Sequence, residues 1–398
     1  MANNNENKVL NVPHLRFPEF NGEWETKLIN DLAVVIGGGT PDTTIKSYWD
    51  GEIQWFTPSE IGKNKYVDSS LRTITEEGLN NSSAKLLPPN TILLSSRATI
   101  GECSLSLREC ATNQGFQSLV SKKCYVDFLY YLIQTKKRDL IRKSCGSTFL
   151  EISANEVRKI QVSVPTDVEQ QKIAGLLSLI DERIATQNKI IEKLQSLIKG
   201  FSQQLLSSEN DWILYRLDDL AQIKSGYSGT QVSYQTPYKV SRIETISKHC
   251  IDIQRIGYVE CIPESYRLNV GNILFSNINS IQYIGNTAYL DKDYGLYHGM
   301  NLLRIIPNTT IVRPRFLHLL LCTDWAINHF QTICNKAVSQ ASINQTALGK
   351  SRFPIPPMSV QQQICSMFEL TERKLDNEQE YISCLQQQKR YLLQKMFI

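Results

Sequence analysis

The sequence predicts an α+β fold with a pseudo-two-fold internal repeat, in which two globular α/β domains are separated by two long helices that pair as an antiparallel coiled coil. Two matches within the chain predict the repeat. Residues 24–33 share a tryptophan and an Asp-Leu-Ala triplet with residues 212–221, and residues 165–173 resemble residues 356–364. The helices are predicted by apolar residues that follow each copy of the second match at alternating steps of four and three.

The two matches have offsets of 188 and 191 residues, so both halves of the chain have the same layout. A chain of 398 residues is also too long for one ordinary hydrophobic core. The start of the chain is polar and rich in asparagine, which is typical of disorder. We therefore expect a flexible N-terminal segment at 1–20, a first globular domain at 21–163, a first long helix at 164–208, a second globular domain at 209–354 and a second long helix at 355–398.

Composition and motifs exclude several classes of protein. The hydrophobic share of 41% and the charged share of 21% are ordinary for a globular protein, and a net charge of +4 permits nucleic-acid binding through local patches. The sequence has no apolar run of membrane-spanning length and no signal peptide, so we expect a cytoplasmic protein with no membrane partner. The ten cysteines form no C-x-x-C pair and no two histidines have ligand spacing, so we expect no metal site.

Heptad periodicity defines the two long helices. Thr166 with Glu169, and Ser359 with Gln362, have the spacing of a capping box and predict the two helix starts. The predicted coiled-coil seam consists of Ile173, Leu177, Ile180, Ile184, Gln187, Ile191 and Leu194 in the first helix, and Ile364, Phe368, Leu375, Glu378, Ile382 and Leu385 in the second.

Two polar residues interrupt this seam at equivalent positions. Gln187 and Glu378 are 191 residues apart, and polar seam residues of this kind fix the register and the partner of a coiled coil. An alternative is that Glu378 and Lys389 extend into solvent from a frayed helix. If the helices pair within one chain they must be antiparallel, because the connection between the first helix and the second domain is short. Pairing between two chains is the rival arrangement.

The length of the seam suggests a spacer. At 1.5 Å per residue, the heptad pattern continued from Ile173 to Leu205 spans on the order of 48 Å. That distance corresponds to roughly 14 base pairs of DNA. With one globular domain at each end, the helices would hold two DNA contacts at least a helical turn apart.

Polar loop side chains are the candidates for contact with DNA. Groove recognition uses Arg, Lys, Asn, Gln, Ser and Thr side chains that a rigid frame holds in place, although each one alone is more often an ordinary loop residue. The basic run at 136–143 is the candidate for phosphate contact, with a solvated helix face as the alternative. The predicted DNA-binding residues are Thr40, Thr57, Ser59, Ser96, Arg97, Asn113, Gln114, Lys136, Lys137, Arg138, Ser147 and Thr148 in the first domain, and Ser225, Arg242, Asn277, Asn279, Gln282, His298, Ser339 and Gln340 in the second.

Catalytic motifs are missing from the sequence. It contains no phosphate-binding loop, zinc signature or G-x-S-x-G elbow, so we expect no catalytic residue and no cofactor on this chain. Asp42, Glu60 and Lys63 form only a loose carboxylate group, which leaves a self-contained nuclease as a weak alternative. A coiled-coil scaffold that binds only proteins is the second alternative.

Several segments together resemble a known family. They are "LRFPEF" at 15–20, "EWETKLINDLA" at 23–33, "GGGTP" at 37–41 and the closing segment 150–184, which contains the pattern P-x-x-x-E-Q-x-x-I. Over nearly the whole chain, this frame resembles the specificity (S) subunit of type I restriction–modification systems. The second copy of the pattern departs from the family, since Val360 stands in place of the glutamate.

The resemblance implies a function. In this family two target-recognition domains each bind one half of a bipartite, asymmetric site in double-stranded DNA. The two helices set the spacing and dock two modification methyltransferase subunits, and restriction/translocase subunits join for cleavage. S-adenosylmethionine, Mg²⁺ and ATP are then expected on the partner subunits, and the specificity subunit itself is not an enzyme.

Overall fold

The chain forms two compact units. In a computed structural model, the described residues are 10–146, 150–207, 212–247, 249–336 and 340–398. Unit 1 comprises Met1–Ile190 and Glu378–Ile398, and unit 2 comprises Ile191–Asn377. Each unit therefore contains one globular α+β domain and part of each long helix. The predicted boundaries assigned the two long helices to separate segments, whereas the folded chain divides each helix between the units.

Unit 1 is built around a five-stranded sheet of order β2-β9-β6-β7-β4, with a three-stranded sheet β5-β3-β8 and the pair β1-β10. The strands are β1 (Glu25–Leu28), β2 (Ala33–Gly37), β3 (Trp49–Phe56), β4 (Tyr66–Val67), β5 (Arg72–Ile74), β6 (Ile92–Leu94), β7 (Cys103–Ser106), β8 (Cys110–Thr112), β9 (Gln117–Ser121) and β10 (Gln161–Val164). The helices are α1 (Ile29–Leu32), α2 (Glu76–Asn80), α3 (Val126–Thr135), α4 (Lys137–Arg142), α5 (Ala154–Arg158) and the start of α6 (Asp167–Leu205).

Unit 2 has two four-stranded sheets, β12-β22-β18-β20 and β13-β17-β14-β21, together with smaller sheets β11-β25, β15-β16 and β19-β24-β23. The strands are β11 (Ile213–Arg216), β12 (Ala221–Ser225), β13 (Gln231–Val232), β14 (Tyr238–Val240), β15 (Ile246–Ser247), β16 (Cys250–Ile251), β17 (Gly257–Val259), β18 (Ile273–Phe275), β19 (Ile278–Asn279), β20 (Thr287–Tyr289), β21 (Leu296–Tyr297), β22 (Leu303–Pro307), β23 (Asn335–Lys336), β24 (Ala341–Ser342) and β25 (Arg352–Ile355). The helices are α7 (Leu217–Leu220), α8 (Pro314–Leu321), α9 (Asp324–Ile333), α10 (Gln345–Gly349) and the start of α11 (Met358–Lys395).

The two repeated sequence segments form strands that pair with each other in each unit. In unit 1 the first strand pairs antiparallel with the last, with Glu25 opposite Val164. In unit 2 the same pairing places Ile213 opposite Ile355. Glu25 and Ile213 are 188 residues apart, and Val164 and Ile355 are 191 residues apart. The repeated segments are therefore the first strand of each domain and the last strand before its long helix. The predicted internal repeat is confirmed at this level.

The two long helices begin close to the predicted positions. Helix α6 starts at Asp167, directly after Thr166, whose carbonyl accepts a bond from the Gln170 amide. Helix α11 starts at Met358, so Ser359 lies inside its first turn and the prediction that Ser359 caps the helix is wrong. The reason is that the carbonyl of Pro357 accepts the first helical hydrogen bonds, two residues earlier than expected.

The helices pack antiparallel within each unit. In unit 1, Lys389 of α11 lies 2.6 Å from Asp181 of α6, and Gln187 hydrogen-bonds Glu378. In unit 2 the rings of Phe201 and Phe368 meet edge to face at 6.1 Å. The residue numbers of the contacting positions therefore decrease along α11 as they increase along α6.

The two polar seam residues are buried. Gln187 is 5% exposed and Glu378 is 9% exposed, and the Gln187 amide donates to the Glu378 carboxylate. Lys389 is also largely buried, in its ion pair with Asp181. The alternative in which Glu378 and Lys389 extend into solvent is therefore wrong. The remaining predicted seam residues are buried or half-buried, namely Ile173, Leu177, Ile180, Ile184, Ile191, Leu194, Ile364, Phe368, Leu375, Ile382 and Leu385.

Residues 10–20 of the segment that the sequence predicts as flexible are packed onto unit 1, and residues 1–9 of that segment lie outside the described residues. The Leu15 amide donates to the carbonyl of Lys395, and Asn11 bonds both Trp24 and Ser163. The guanidinium of Arg16 makes two bonds of 2.7 Å to the buried carboxylate of Glu169. These polar contacts hold residues 10–20 against the domain.

Both long helices complete the hydrophobic core of each unit. The core of unit 1 includes Ile173 and Leu177 from α6 and Leu392 from α11. The core of unit 2 includes Ile364 and Phe368 from α11, with residues of α6 packed against it. Because the helices are part of both cores, each domain is rigidly attached to its own portion of the helix pair.

Candidate nucleic-acid interface

Loops at the ends of strands β2, β3, β6 and β8 converge in unit 1. We call this set the first loop cluster; it comprises residues 38–40, 57–59, 96–97 and 113–115. Gly38 allows the contact, because a Cβ there would lie 2.0 Å from the carbonyl oxygen of Asn113. Across the same gap the Thr40 hydroxyl donates to the Gln114 side chain at 2.5 Å. The "GGG" segment therefore serves close backbone packing and not a phosphate cradle.

The loop after β3 is held by a short turn. The Thr57 amide and hydroxyl both donate to Glu60 Oε2, at 2.7 and 2.6 Å, and the Ser59 hydroxyl lies 3.1 Å from that of Thr57. The turn leaves Ser59 exposed and Thr57 half-buried. Asn113 is a turn residue as well, since its side chain accepts from the Gly115 amide, whereas its neighbour Gln114 is exposed. Ser59 and Gln114 are thus the accessible members of this group.

Two tryptophans hydrogen-bond to the backbone of the loop that follows β2. Trp55 donates its ring N–H to the carbonyl of Gly39 at 2.9 Å, and Trp49 donates to that of Asp42 at 3.1 Å. The two rings meet edge to face, and the Arg72 guanidinium lies 3.5 Å from the centre of the Trp49 ring. The aromatics in these loops are therefore structural, while Arg72 is an exposed cation that the sequence analysis did not select.

Ser96 and Arg97 follow the central strand β6. Ser96 is fully buried and its hydroxyl has no partner among the described residues, while its amide bonds the Gly115 carbonyl. Arg97 pairs with Glu151 at 2.8 Å. With Lys137, Arg97 also lines a cavity of about 940 Å³ in unit 1. Ser96 is therefore inaccessible in this state, and Arg97 reaches the surface only as part of an ion pair.

The basic run at 136–143 is only partly available to phosphate. The Lys136 ammonium donates to the carbonyl of Ile398, and burial lowers the pKa of Lys136. Lys137 pairs with Glu102. Arg138 is exposed and has no ion pair among the described residues, so it is the member of this run best placed to meet a phosphate. For Lys136 and Lys137 the structure favours a tertiary role over the predicted DNA contact.

Unit 2 repeats the loop arrangement of unit 1 with different side chains. We call residues 225–227, 241–242 and 298–299 the second loop cluster. Gly226 is the counterpart of Gly38, and a Cβ there would lie 1.8 Å from the Gly299 carbonyl. Arg242 stands where unit 1 has Thr57, since its amide donates to Thr245 in an equivalent turn. A shared backbone frame thus presents two different sets of polar groups.

The other predicted residues of unit 2 lie in the small sheet β19-β24-β23 or close to it in sequence. Asn277 bonds the Ile343 carbonyl at 3.3 Å, and its Oδ1 is buried without a partner among the described residues. Asn279 pairs with Ala341 across β19 and β24, and its side-chain Nδ2 donates to the Ser276 hydroxyl. Gln282 and Gln340 are exposed. Asn277 is equivalent to Ser96, because the amides of Ile343 and Ile152 bond their respective carbonyls.

Two predicted residues of unit 2 line one pocket. Ser225 and His298 line a cavity of about 440 Å³ beside the paired strands β12 and β22. Its lining also contains Lys224, Arg304 and Gln345, none of which the sequence analysis selected. An arginine inside the apolar run Leu302–Ile306 was a signal for such a site, because a buried arginine is rare unless it binds something.

Burial controls the charges in this pocket. His298 is 1% exposed and its Nε2 lies 2.9 Å from the Leu302 carbonyl. Burial lowers the pKa of His298 to about 4, and the charge of Arg304 lowers it further in the same direction. Burial also lowers the pKa of Arg304. At neutral pH the imidazole is therefore neutral, and the positive charge of the pocket comes from Lys224 and Arg304.

Three predicted residues, Ser147, Thr148 and Ser339, lie outside the described residues. Within the described ranges, no group of three or more His, Cys, Asp or Glu side chains is arranged to hold a metal ion. Nor do those ranges contain a helix long and apolar enough to cross a membrane.

The acidic residues of the nuclease alternative have other partners. Asp42 accepts from the amide and hydroxyl of Thr44, which lowers the pKa of Asp42. Glu60 accepts from Thr57 and from the Leu71 amide. Each carboxylate stabilises its own turn, so the geometry gives no support to a metal-dependent nuclease at this position.

The two equivalent α+β units present different sets of polar loop side chains, and such side chains are the kind that contact phosphates and base edges in DNA. The sequence profile of the family described as type I restriction modification DNA specificity domain matches residues 21–196 and 209–387. These matches cover most of the chain, so the protein belongs to this family and carries two copies of the domain. The family resemblance seen in the sequence is confirmed.

Named relatives agree with this assignment. The type I restriction enzyme MjaIX specificity subunit of Methanocaldococcus jannaschii is 30% identical over 327 residues, which are 69% of this chain and 75% of the relative. The type I S subunit from M. genitalium superposes with a TM-score of 0.60 at 16% identity, over 97% of this chain and 99% of its own. A chain from a study of complex assembly and conformational transition of the type I R-M system gives 0.61 at 14% identity, over 95% and 98%. The structural matches show the shared fold, and the sequence relatives show that the chain is a specificity subunit, whose role is DNA recognition and not catalysis.

Proposed function

We propose that each unit binds one half of a bipartite, asymmetric site in double-stranded DNA through its own loop cluster. The observation that carries this proposal is the equivalence of the two frames. The same close approach of glycine to backbone occurs at Gly38 and Gly226, and the same turn begins at Thr57 and Arg242. Thr57 of unit 1 has a neutral hydroxyl, whereas Arg242 at the equivalent position of unit 2 has a positive charge. The two units are therefore suited to different base sequences.

The long helices are proposed to dock two copies of one partner, a modification methyltransferase subunit. Leu179 of α6 is 64% exposed and Leu370 of α11 is 65% exposed, and they are related by the 191-residue offset. The neighbouring residues Leu176, which is half-buried, and Met367, which is exposed, share the same relation. Exposed apolar residues that recur at equivalent positions favour two equivalent contacts, one in each unit.

The same helices are proposed to set the spacing between the half-sites. Helix α6 has 39 residues and α11 has 38, and their seams are buried along both units. A continuous helix is a stiff connector, so the distance between the two DNA contacts would depend on helix length. Restriction/translocase subunits would join the assembly for cleavage.

This function assigns the chemistry to the partners. S-adenosylmethionine, Mg²⁺ and ATP are expected on the methyltransferase and translocase subunits, with no cofactor on this chain. The assembly acts on cellular DNA, so we expect it in the cytoplasm.

Mapping methylated adenines tests the proposal directly. DNA exposed to the assembled complex should carry methyl groups within one split sequence, which returns both half-sites and their spacing. Gln114→Ala should relax only the first half-site and Arg242→Ala only the second, each by about 1–3 kcal/mol of discrimination. Methylation without a split consensus, or complex formation that is insensitive to salt and to DNA sequence, would favour the protein-only scaffold.

A further inference from the structure

We propose that the pocket beside the paired strands β12 and β22 binds a phosphate group of the DNA backbone next to the second half-site, with Lys224 and Arg304 as its cationic ligands. This inference rests on the proposed function, because it identifies a positioning contact for the second unit. Such a contact would fix the register of unit 2 on the duplex without selecting a base.

The two cations face each other across the sheet. Lys224 and Arg304 are directly opposite in the antiparallel pair of β12 and β22, and both line the pocket. Like charges at facing positions destabilise a sheet. No acidic side chain is among the described residues of the lining, and neither cation has an ion-pair partner in the described ranges. An anion between them would remove the repulsion.

The arginine is buried without a counter-ion. Arg304 is 5% exposed, its Nε donates to Asn272 Oδ1 at 2.8 Å, and its Nη1 lies 3.4 Å from the Ser265 carbonyl. Both acceptors are neutral, and Nη2 has no hydrogen-bond partner among the described residues. A buried cation without a negative partner is costly, and a guanidinium has donors that match phosphate oxygens.

The rest of the lining fits a nucleotide. Ser225 and Gln345 add hydrogen-bonding groups, and Gln345 is held by its bond to the Ile223 carbonyl. Tyr266 lines the pocket and meets the ring of Tyr227 edge to face at 5.3 Å. A volume of about 440 Å³ exceeds the need of a small inorganic ion and leaves room for an attached sugar.

Unit 1 has no equivalent charge. The repeat places Ile36 and Ser118 at the positions of Lys224 and Arg304, and they face each other in the β2–β9 pair. The Ser118 hydroxyl is buried without a partner among the described residues. A phosphate contact at this position is therefore a property of the second unit only.

The test compares Lys224→Gln with Lys292→Gln in the full chain assembled with its methyltransferase subunits. Both lysines are exposed in unit 2, but Lys292 follows β20 at the other edge of the sheet and lies outside the pocket. Loss of one phosphate contact should lower the salt slope of DNA affinity by about 0.9. Between 50 and 200 mM salt, affinity should then fall about 3.5-fold less for Lys224→Gln than for the wild type. Half-site preference should not change, and Lys292→Gln should match the wild type.

A second arm titrates the wild type and Lys224→Gln with inorganic phosphate and with dAMP, and follows the melting temperature. No stabilisation at millimolar concentrations, together with the altered salt slope, supports a backbone phosphate. Stabilisation of the wild type alone, with equal salt slopes, would assign the pocket to a free phosphate compound and overturn the proposal. Equal slopes with no stabilisation would also overturn it. Failure of the proposed function looks different, since the wild type itself would then lack site-specific binding.

Discussion

At the residue scale, buried charges distinguish the two halves of the repeat. Glu169 is buried at the start of α6 and is neutralised by Arg16, which belongs to the segment before the first domain. The equivalent residue of α11 is Val360, which packs against the core of unit 2. The position 188 residues after Arg16 is Gln204, within α6, so unit 2 has no matching segment to supply an arginine. The departure of Val360 from the family pattern therefore has a structural cause.

Arg16→Met should destabilise the protein, because it leaves the Glu169 carboxylate buried without its cation. Loss of one partner of a buried pair costs about 3–5 kcal/mol. The double variant Arg16→Met/Glu169→Val should recover most of this loss, since it copies the apolar solution of unit 2. Urea unfolding of the three proteins measures the effect. If the double variant were no more stable than Arg16→Met, the pair would not be the source of the loss.

His298 should make stability depend on pH. Its pKa in the folded protein is about 4, below the value of about 6.5 in an unfolded chain, so the unfolded state binds the proton first as the pH falls. Stability should be unaffected above pH 6.5 and should decrease between pH 6.5 and 4, by on the order of 3 kcal/mol. Urea unfolding of the wild type and His298→Gln at several pH values separates this contribution from that of His318, which both proteins retain. Equal losses in the two proteins would contradict the prediction.

At the element scale, the long helices combine an apolar seam with polar pairs. The bonds of Gln187 with Glu378 and of Asp181 with Lys389 are specific to one antiparallel register, because each joins one position of α6 to one position of α11. A slip of one heptad would bury these groups without their partners, at a cost of roughly 1–3 kcal/mol for each. The same helices expose Leu179 and Leu370 on other faces. The seam thus fixes the pairing while the outer faces remain available to partners.

Leu179→Glu and Leu370→Glu should each remove one methyltransferase copy from the assembly, because a charge is placed at the centre of an apolar contact. The double variant should bind neither copy. Leu197→Glu is the matched control, since Leu197 is also exposed on α6 but its equivalent in α11 is Gln388. Native mass spectrometry of the mixed subunits counts the copies. Two bound copies in the double variant would show that the contact lies elsewhere.

At the scale of the whole molecule, each domain is joined to the helix pair through a shared core. Leu392 and Phe397 of the C-terminal segment pack in the core of unit 1, and Leu206 at the end of α6 packs in that of unit 2. A change in helix length should therefore be transmitted to the domains and not absorbed by a flexible joint.

Insertion of one matched heptad into both α6 and α11 should lengthen the preferred spacing between half-sites. Seven residues add about 10.5 Å of helix. That length corresponds to about three base pairs. Adenine-methylation mapping reads the new spacing, and the half-site sequences serve as the internal control because the loop clusters are untouched. An unchanged spacing would refute the role of the helices as a spacer.

The sequence by itself determined the repeat, the two long helices and the family. These features depend on residue spacing along the chain, as with the seam from Ile173 to Leu194, and such periodicity is visible without a structure. Only the tertiary structure showed that Lys136 bonds Ile398, that Trp55 supports Gly39, and that Lys224 faces Arg304 across two strands. Those contacts join residues separated by up to 262 positions, and their partners are set by strand pairing and packing, which no local pattern encodes. Accordingly, the repeated frame could be predicted from one sequence, whereas the polar groups that are accessible on it could be identified only from the folded structure.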